Sequence, residues 1–366
     1  DVELPTRICM APMTREKSPN GIPGEDVAAY YTRRAAGGVG LIVTEGVAID
    51  HPVSSPGFDV PNIYGEASLA GWRRVCSDVH KAGGKIAIQL WHTGAHRINP
   101  GRRVQPPPNA HLPSFSPSGF KNNVSARGDN VGDPASEREI QDVIESFGRG
   151  AAAAVSVGFD AIEVHAGHCY GPDQFAWDVT NVRSDGWGGD MRARMRFGAE
   201  ITKAIRRAVG PSVPIIWRFS QWKIGDYEAR PFKTPKDLED YLTPLSDAGV
   251  DCFDASTRRF WKTEFEGSNL GLAGWSKKIT GKCIMTVGSV TLSLEAEDSQ
   301  LRPEPIIPYS SDQTVDLMRR MNAGEFDLVA VGRMLLSNPD WAAQIRTGNV
   351  DGLKPFGMRY SRGPLI

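Results

Sequence analysis

Apolar residues in this chain fall into two rhythms. Short apolar runs bounded by glycine, proline or charge occupy 7–13, 41–44, 85–90, 161–164, 214–220, 251–256, 283–287 and 328–331. Their length and content predict β-strands covered on both faces. Between them lie stretches with apolar residues at helical spacing: 26–36, 68–82, 136–154, 194–208, 234–248, 272–280, 312–321 and 339–346. In 68–82, Leu69, Trp72, Val75 and Val79 share one face and Gly83-Gly84 follows as the stop. Ser136-Glu137-Arg138-Glu139 is a capping-box pattern that opens the third helix. Eight strand and helix pairs in strict alternation are the sequence form of an α/β fold, a single (β/α)8 TIM barrel over residues 1–366. Only 93–134 breaks the rhythm. This long loop after strand 3 is rich in Pro, Asn, Gly and Ser, includes Pro106-Pro107-Pro108, and reads as a lid or binding surface.

In a parallel barrel the strand exits share one rim, which gives meaning to the polar residues found there. Thr14, Gln89, His165, His168, Tyr170, Arg218, Gly288, Gly332 and Arg333 sit at or just past the ends of six different strands and are expected to converge on one mouth. His165, His168 and Tyr170 follow one apolar run within six residues. Two imidazoles can hold an oxygen and a phenol can give a proton, which is what reduction of a carbonyl-conjugated double bond requires. The plainer alternative is a strand end with two solvated histidines and a core tyrosine. Plainer alternatives stand beside the other residues as well: a turn hydroxyl for Thr14, a buried ion pair for Arg218, a tight turn for Gly332 and a surface charge for Arg333.

Composition narrows the partner. The 42 basic and 43 acidic residues leave a net charge of -1 with no long run of either sign, so a nucleic-acid groove or an acidic-lipid surface is not indicated. A small molecule is the expected partner. Five cysteines without C-x-x-C spacing indicate neither a zinc site nor a disulfide framework and suit reduced thiols in the cytoplasm. No apolar run approaches the roughly 20 residues of a membrane helix. The chain begins at Asp1 rather than methionine, which leaves an N-terminal extension open.

The motifs Ala11-Pro12-Met13-Thr14-Arg15, Gln89-Leu90-Trp91-His92, His165-x-x-His168-x-Tyr170 with Gln174-Phe175, Asn181-x-Arg183-x-Asp185-x-Trp187-Gly188-Gly189, and Gly332-Arg333 with Asn338-Pro339 together resemble the old yellow enzyme family, from about Leu4 to Arg346. The resemblance implies an FMN-dependent ene-reductase fed by NADH or NADPH, acting on a small activated alkene. It implies FMN across the barrel mouth, its phosphate at Gly288, Gly332 and Arg333 and its pyrimidine edge at Gln89 and Arg218. Thr14 would donate to the flavin O4, and Pro12, Met13 and Gly46 would flank the ring. His165 and His168 would hold the acceptor carbonyl, with Tyr170 as proton donor and Trp91 as a substrate-binding wall. No metal is implied.

The chain departs from the family pattern after the tyrosine. Cys169 stands where glycine is common, Gly171-Pro172 follows Tyr170, and Ala176-Trp177-Asp178 replaces the usual run. These changes bear on pocket shape. Trp91, Trp222 and Trp261 either line the cleft or pack beneath the long loop, and Cys169 is read as a buried, inert thiol rather than a redox sensor. The main rival is a metal-dependent barrel hydrolase using His92, His96, His165 and His168, weakened because the candidate carboxylates at strand exits, Glu45 and Asp254, lie on other strands. Two further rivals are an FMN barrel oxidising hydroxy acids or dihydropyrimidines and a barrel kept only for binding. The acceptor, the choice of NADH or NADPH and the oligomeric state stay open.

Overall fold

The computed structural model describes residues 2–97, 106–120, 131–292 and 310–366. Eight parallel strands close on themselves: β1 (Ile8–Met10), β2 (Leu41–Ala48), β3 (Lys85–Trp91), β4 (Ala161–His165), β5 (Ile215–Ser220), β6 (Cys252–Ser256), β7 (Cys283–Val287) and β8 (Leu328–Val331). Each pairs with the next and β8 pairs with β1, so the expected (β/α)8 barrel is what forms. Outside it run α1 (Glu25–Ala36), α2 (Glu66–Lys81), α3 (Glu137–Val157), α4 (Gly171–Ala176), α5 (Met191–Arg194), α6 (Arg196–Val209), α7 (Pro235–Ala248), α8 (Leu272–Thr280), α9 (Ser311–Asn322), α10 (Arg333–Ser337), α11 (Trp341–Thr347) and α12 (Met358–Arg362).

Local chemistry explains the boundaries. The Ser136 hydroxyl accepts from the Glu139 backbone and the Glu139 carboxylate accepts from the Ser136 backbone, so α3 begins where the capping box predicts. Thr234 and Asp237 do the same for α7. The large apolar faces of these helices pack on the outer faces of the strands, with Trp72, Phe147, Phe197, Trp217 and Leu242 fully buried between the two layers. Each such side chain contributes roughly 1.5–3 kcal/mol by leaving water.

The barrel interior is layered. Its floor is apolar, built from Cys9, Leu41, Val43, Ala87, Ala161, Ile216, Cys252, Met285 and Ala330. One step up along the strands the inward positions become polar: Gln89, Glu163, Arg218 and Asp254, all buried. Above these stand Trp91, His165, Ser220 and Ser256 at the mouth.

Several elements differ from the sequence pattern. Glu45 reads as a strand terminus, yet β2 continues to Ala48 through a register shift between Val43 and Gly46. The extra length at this bulge lets the Glu45 carboxylate accept the backbone N–H groups of Arg15 (2.8 Å) and Glu16 (2.9 Å), which satisfies a buried charge inside a strand. The short α4 and α5 follow β4 without a predicted counterpart, being too short to show helical periodicity. The predicted fourth helix starts two residues late, because Arg194 ends a separate turn capped by Asp190 and donates to the carbonyls of Ala176 and Gly189. Of the long loop after β3, residues 98–105 and 121–130 lie outside the described residues.

Candidate active site

The loop after β4 carries the densest chemistry, and it is held in an unusual backbone shape. His168 and Cys169 both lie in the left-handed region, with φ of 59° and 71°, a conformation that costs a non-glycine residue roughly 1–2 kcal/mol. Buried hydrogen bonds offset that cost. The His168 N–H donates to Ser220 Oγ (2.8 Å), the Cys169 N–H to Asp173 Oδ2 (2.6 Å), and Gln174 Nε2 to the Cys169 carbonyl (2.6 Å). Asp173 is held in turn by Lys223 Nζ at 2.8 Å, an ion pair with both side chains almost fully buried. Glycine at position 169 would adopt this turn without strain. Here a four-residue polar clamp fixes it instead, and the Cys169 thiol is buried at 1% exposure, as expected for an inert one.

This turn brings three rings together. The His165 ring centroid lies 5.2 Å from that of His168 and 4.7 Å from that of Tyr170. Trp91 meets Tyr170 edge to face at 4.9 Å, and Gly46 makes room for it, since a Cβ there would stand 2.5 Å from the indole. Trp222 stacks on His168 at 4.2 Å, so it lines the mouth, whereas Trp261 packs on Phe260 against the outer core. His168 Nε2 and Ser256 Oγ are hydrogen-bonded at 2.9 Å. His165 Nδ1 is buried and without a protein partner. Burial holds both imidazoles well below their usual 6.5, reinforced by the positive charge of Arg218, so both are neutral at pH 7.

Beneath the rings, Arg218 is ion-paired to Asp254 and donates to Ser256 Oγ at 3.2 Å. The buried ion pair weighed for Arg218 is therefore present, and its guanidinium still borders the mouth through Ser256. Gln89 Nε2 donates to Glu163 Oε1 at 2.8 Å.

The opposite arc of the rim belongs to β7, β8 and β1. Gly288 has φ of 147°, and a Cβ there would stand 2.5 Å from the Thr257 carbonyl oxygen, so the turn after β7 excludes any side chain. Arg333 Nη2 donates to Ser289 Oγ (2.9 Å), bridging the turns after β7 and β8. Met13 lies against Gly332, 3.3 Å from where a Cβ would be, and Pro12 and Thr14 continue along the same edge, with Thr14 exposed.

His92 does not join the site. Its Nδ1 accepts from the Gly94 N–H and its Nε2 contacts His51 Nδ1 at 3.0 Å, so both nitrogens are engaged in the wall. His96 sits farther out, 6.0 Å from the Tyr170 ring. Among the described residues no set of three or more His, Cys, Asp or Glu is placed to hold a metal ion, and the hydrolase alternative loses its ligand set. Sequence reasoning missed Asp173, Lys223, Ser220, Ser256 and Glu163. For Glu163 a signal existed, a charge inside an otherwise apolar strand. For the serines the signal was their place at the ends of the fifth and sixth apolar runs, but only the closed barrel brings β5 and β6 beside the β4 loop.

This arrangement, a (β/α)8 barrel with neutral imidazoles, a phenol and a buried guanidinium at one mouth, suits the class of cofactor-using barrel oxidoreductases. The profile of the NADH:flavin oxidoreductase / NADH oxidase family matches residues 1–293. The chain belongs to this family, that of old yellow enzyme, and is an FMN-containing oxidoreductase with a nicotinamide reductant. It is 30% identical to chanoclavine-I aldehyde reductase of Penicillium roqueforti, with 95% of this chain and 87% of that one aligned. It is 28% identical to 12-oxophytodienoate reductase 7 of Oryza sativa subsp. japonica, with 93% and 84% aligned. Morphinone reductase in complex with tetrahydroNAD superposes with a TM-score of 0.76 at 25% identity, covering 98% of this chain and 91% of that one. Among the described residues no helix is long and apolar enough to cross a membrane.

Proposed function

We propose that this protein reduces the C=C bond of small α,β-unsaturated carbonyl compounds, using NADH or NADPH as donor. The residues fit FMN. Arg333, the Ser289 hydroxyl and the open backbone at Gly288 and Gly332 suit a phosphate dianion. Arg218 and Gln89 suit the pyrimidine edge, with Thr14 toward O4 and Pro12, Met13 and Gly46 flanking the ring. FMN, when bound, supplies the chemistry of accepting a hydride from the nicotinamide and delivering one to the β-carbon of the acceptor.

The chain's own residues do the rest. His165 and His168 hold the acceptor carbonyl oxygen. As neutral imidazoles they donate N–H bonds to an oxygen that becomes more negative as hydride arrives, and preorganised donors of this kind contribute about 3 kcal/mol each. Ser256 accepts from Arg218 and can donate to His168 Nε2, which leaves the His168 proton on Nδ1. Tyr170 gives the α-carbon its proton from the phenol O–H. Trp91 and Trp222 form flat walls suited to a cyclic acceptor.

The observation that carries this reading is the convergence of His165, His168 and Tyr170 with a buried, unpartnered nitrogen on His165. The test is Tyr170→Phe. The variant should keep its yellow colour and its rate of flavin reduction by nicotinamide, while reduction of 2-cyclohexenone under nitrogen falls by about 10²–10⁴-fold. Undiminished enone reduction would remove Tyr170 from the role.

A further inference from the structure

The polar layer inside the barrel holds more charge than the cofactor grip requires. Gln89 and Glu163 face each other in register on β3 and β4, and Arg218 and Asp254 do so on β5 and β6. Two carboxylates thus share one guanidinium in a closed interior. Each carboxylate is bonded through one oxygen, Glu163 Oε1 to Gln89 and Asp254 Oδ2 to Arg218, while Glu163 Oε2 and Asp254 Oδ1 are buried without a protein partner. Water cannot screen either charge there, and one cation can balance only one of them.

Building on the flavin-binding reading, we propose that Glu163 is a positioning residue for the cofactor that also stores a proton. It fixes the Gln89 amide through the hydrogen bond from Nε2, and its protonation sets the net charge beneath the pyrimidine edge. A proton on Oε2 leaves Oε1 free to accept from Gln89, so the amide orientation seen here is compatible with neutral Glu163. The groups facing Glu163 are Gln89 from β3, Arg218 from β5, Asp254 from β6 and the Cys9 thiol from β1. Burial, then the Asp254 charge, push Glu163 up to about 8 against the pull of Arg218 and the Gln89 hydrogen bond. At pH 7 the layer is then neutral overall: one anion, one cation, one acid and one amide. Above pH 8 Glu163 gives its proton to solvent and the layer becomes negative. Reduction of the cofactor adds negative charge at its edge, so at pH 9 Glu163 takes one proton back from solvent as the two electrons arrive.

The test is the midpoint potential of the FMN-loaded protein between pH 7 and 9, in wild type and Glu163→Gln. Wild type should take up additional proton per two electrons in this window, up to one, seen as a steeper fall of potential with pH; Glu163→Gln should lack the added slope. Superimposable profiles would overturn the proposal. Infrared difference spectra of wild type on reduction provide a measurement independent of any variant. A protonated carboxyl band should be gained at pH 9 and not at pH 7, and no band at pH 9 would overturn the storage role. Glu163→Leu should weaken FMN binding by about tenfold, because Gln89 loses its anchor, an effect of about 1.4 kcal/mol; unchanged binding would overturn the positioning role. Failure to take up FMN at all would overturn the flavin site itself, whereas a yellow, enone-reducing protein with unaltered profiles would sink this inference alone.

Discussion

Residues at this mouth act through partners on neighbouring elements. The His168-Cys169 turn is left-handed at two consecutive non-glycine positions and persists because Ser220, Asp173, Gln174 and Lys223 bind its backbone and each other. The Asp173–Lys223 pair is the costly part of that clamp. Removing one partner strands a buried charge, so Asp173→Asn should destabilise the fold by about 3–5 kcal/mol in urea unfolding, while Asp173→Asn with Lys223→Met should recover most of the loss. Because the turn orients His168 and Tyr170, the single variant should also lose enone reduction at temperatures where it remains folded. A double variant no more stable than the single one would show that the pair is not coupled.

Elements set what the rim can bind. The β-strands deliver side chains to the mouth, but the turns after β7 and β8 present backbone, and Gly288 allows this by combining a left-handed φ with no room for a Cβ. Gly288→Ala must move the turn away from Thr257 and with it the Ser289 hydroxyl that Arg333 donates to. The expected result is FMN binding weakened by at least about tenfold, corresponding to about 1.4 kcal/mol, with the circular dichroism of the barrel retained. Wild-type affinity in that variant would place the phosphate elsewhere. The bulge in β2 plays a comparable part farther along the same arc, because the Glu45 carboxylate it admits holds the backbone just after Thr14.

At the scale of the whole molecule, buried titrating groups of both kinds shape stability against pH. Burial holds His92, His165 and His168 well below 6.5, so the unfolded chain binds protons that the folded one refuses, and stability is lost as pH falls through about 6.5. Glu45 and Glu163 are displaced upward from 4.5, to about 7 and about 8, mainly by burial. The folded state keeps their protons longer than the unfolded chain does, so their stabilisation is complete at low pH and is lost as pH rises toward 8. Above 6.5 the imidazoles are neutral in both states, so the displaced carboxyls carry the dependence there and stability falls as pH rises toward 8. Thermal unfolding of the cofactor-free protein should therefore give a Tm that falls between pH 6.5 and 8. Glu45→Gln should flatten the upper limb, the Glu45 displacement corresponding to about 3 kcal/mol. A Tm that rises steadily from pH 6.5 to 8 would contradict this.

The alternation of apolar runs and amphipathic stretches was enough to specify the barrel, because strand burial and helix amphipathicity are local patterns that admit one closed arrangement. Strand-exit position likewise marked His165, His168, Tyr170, Gln89, Arg218 and Arg333, since the fold sends every such position to one rim. What could not be read in one dimension was the support beneath them. Ser220 and Ser256 are ordinary hydroxyls in sequence, and Glu163 and Asp254 lie 91 residues apart by number. They become a shared electrostatic unit only when the barrel closes and excludes water, because a charge acquires an unusual proton affinity from its surroundings and not from its neighbours along the chain.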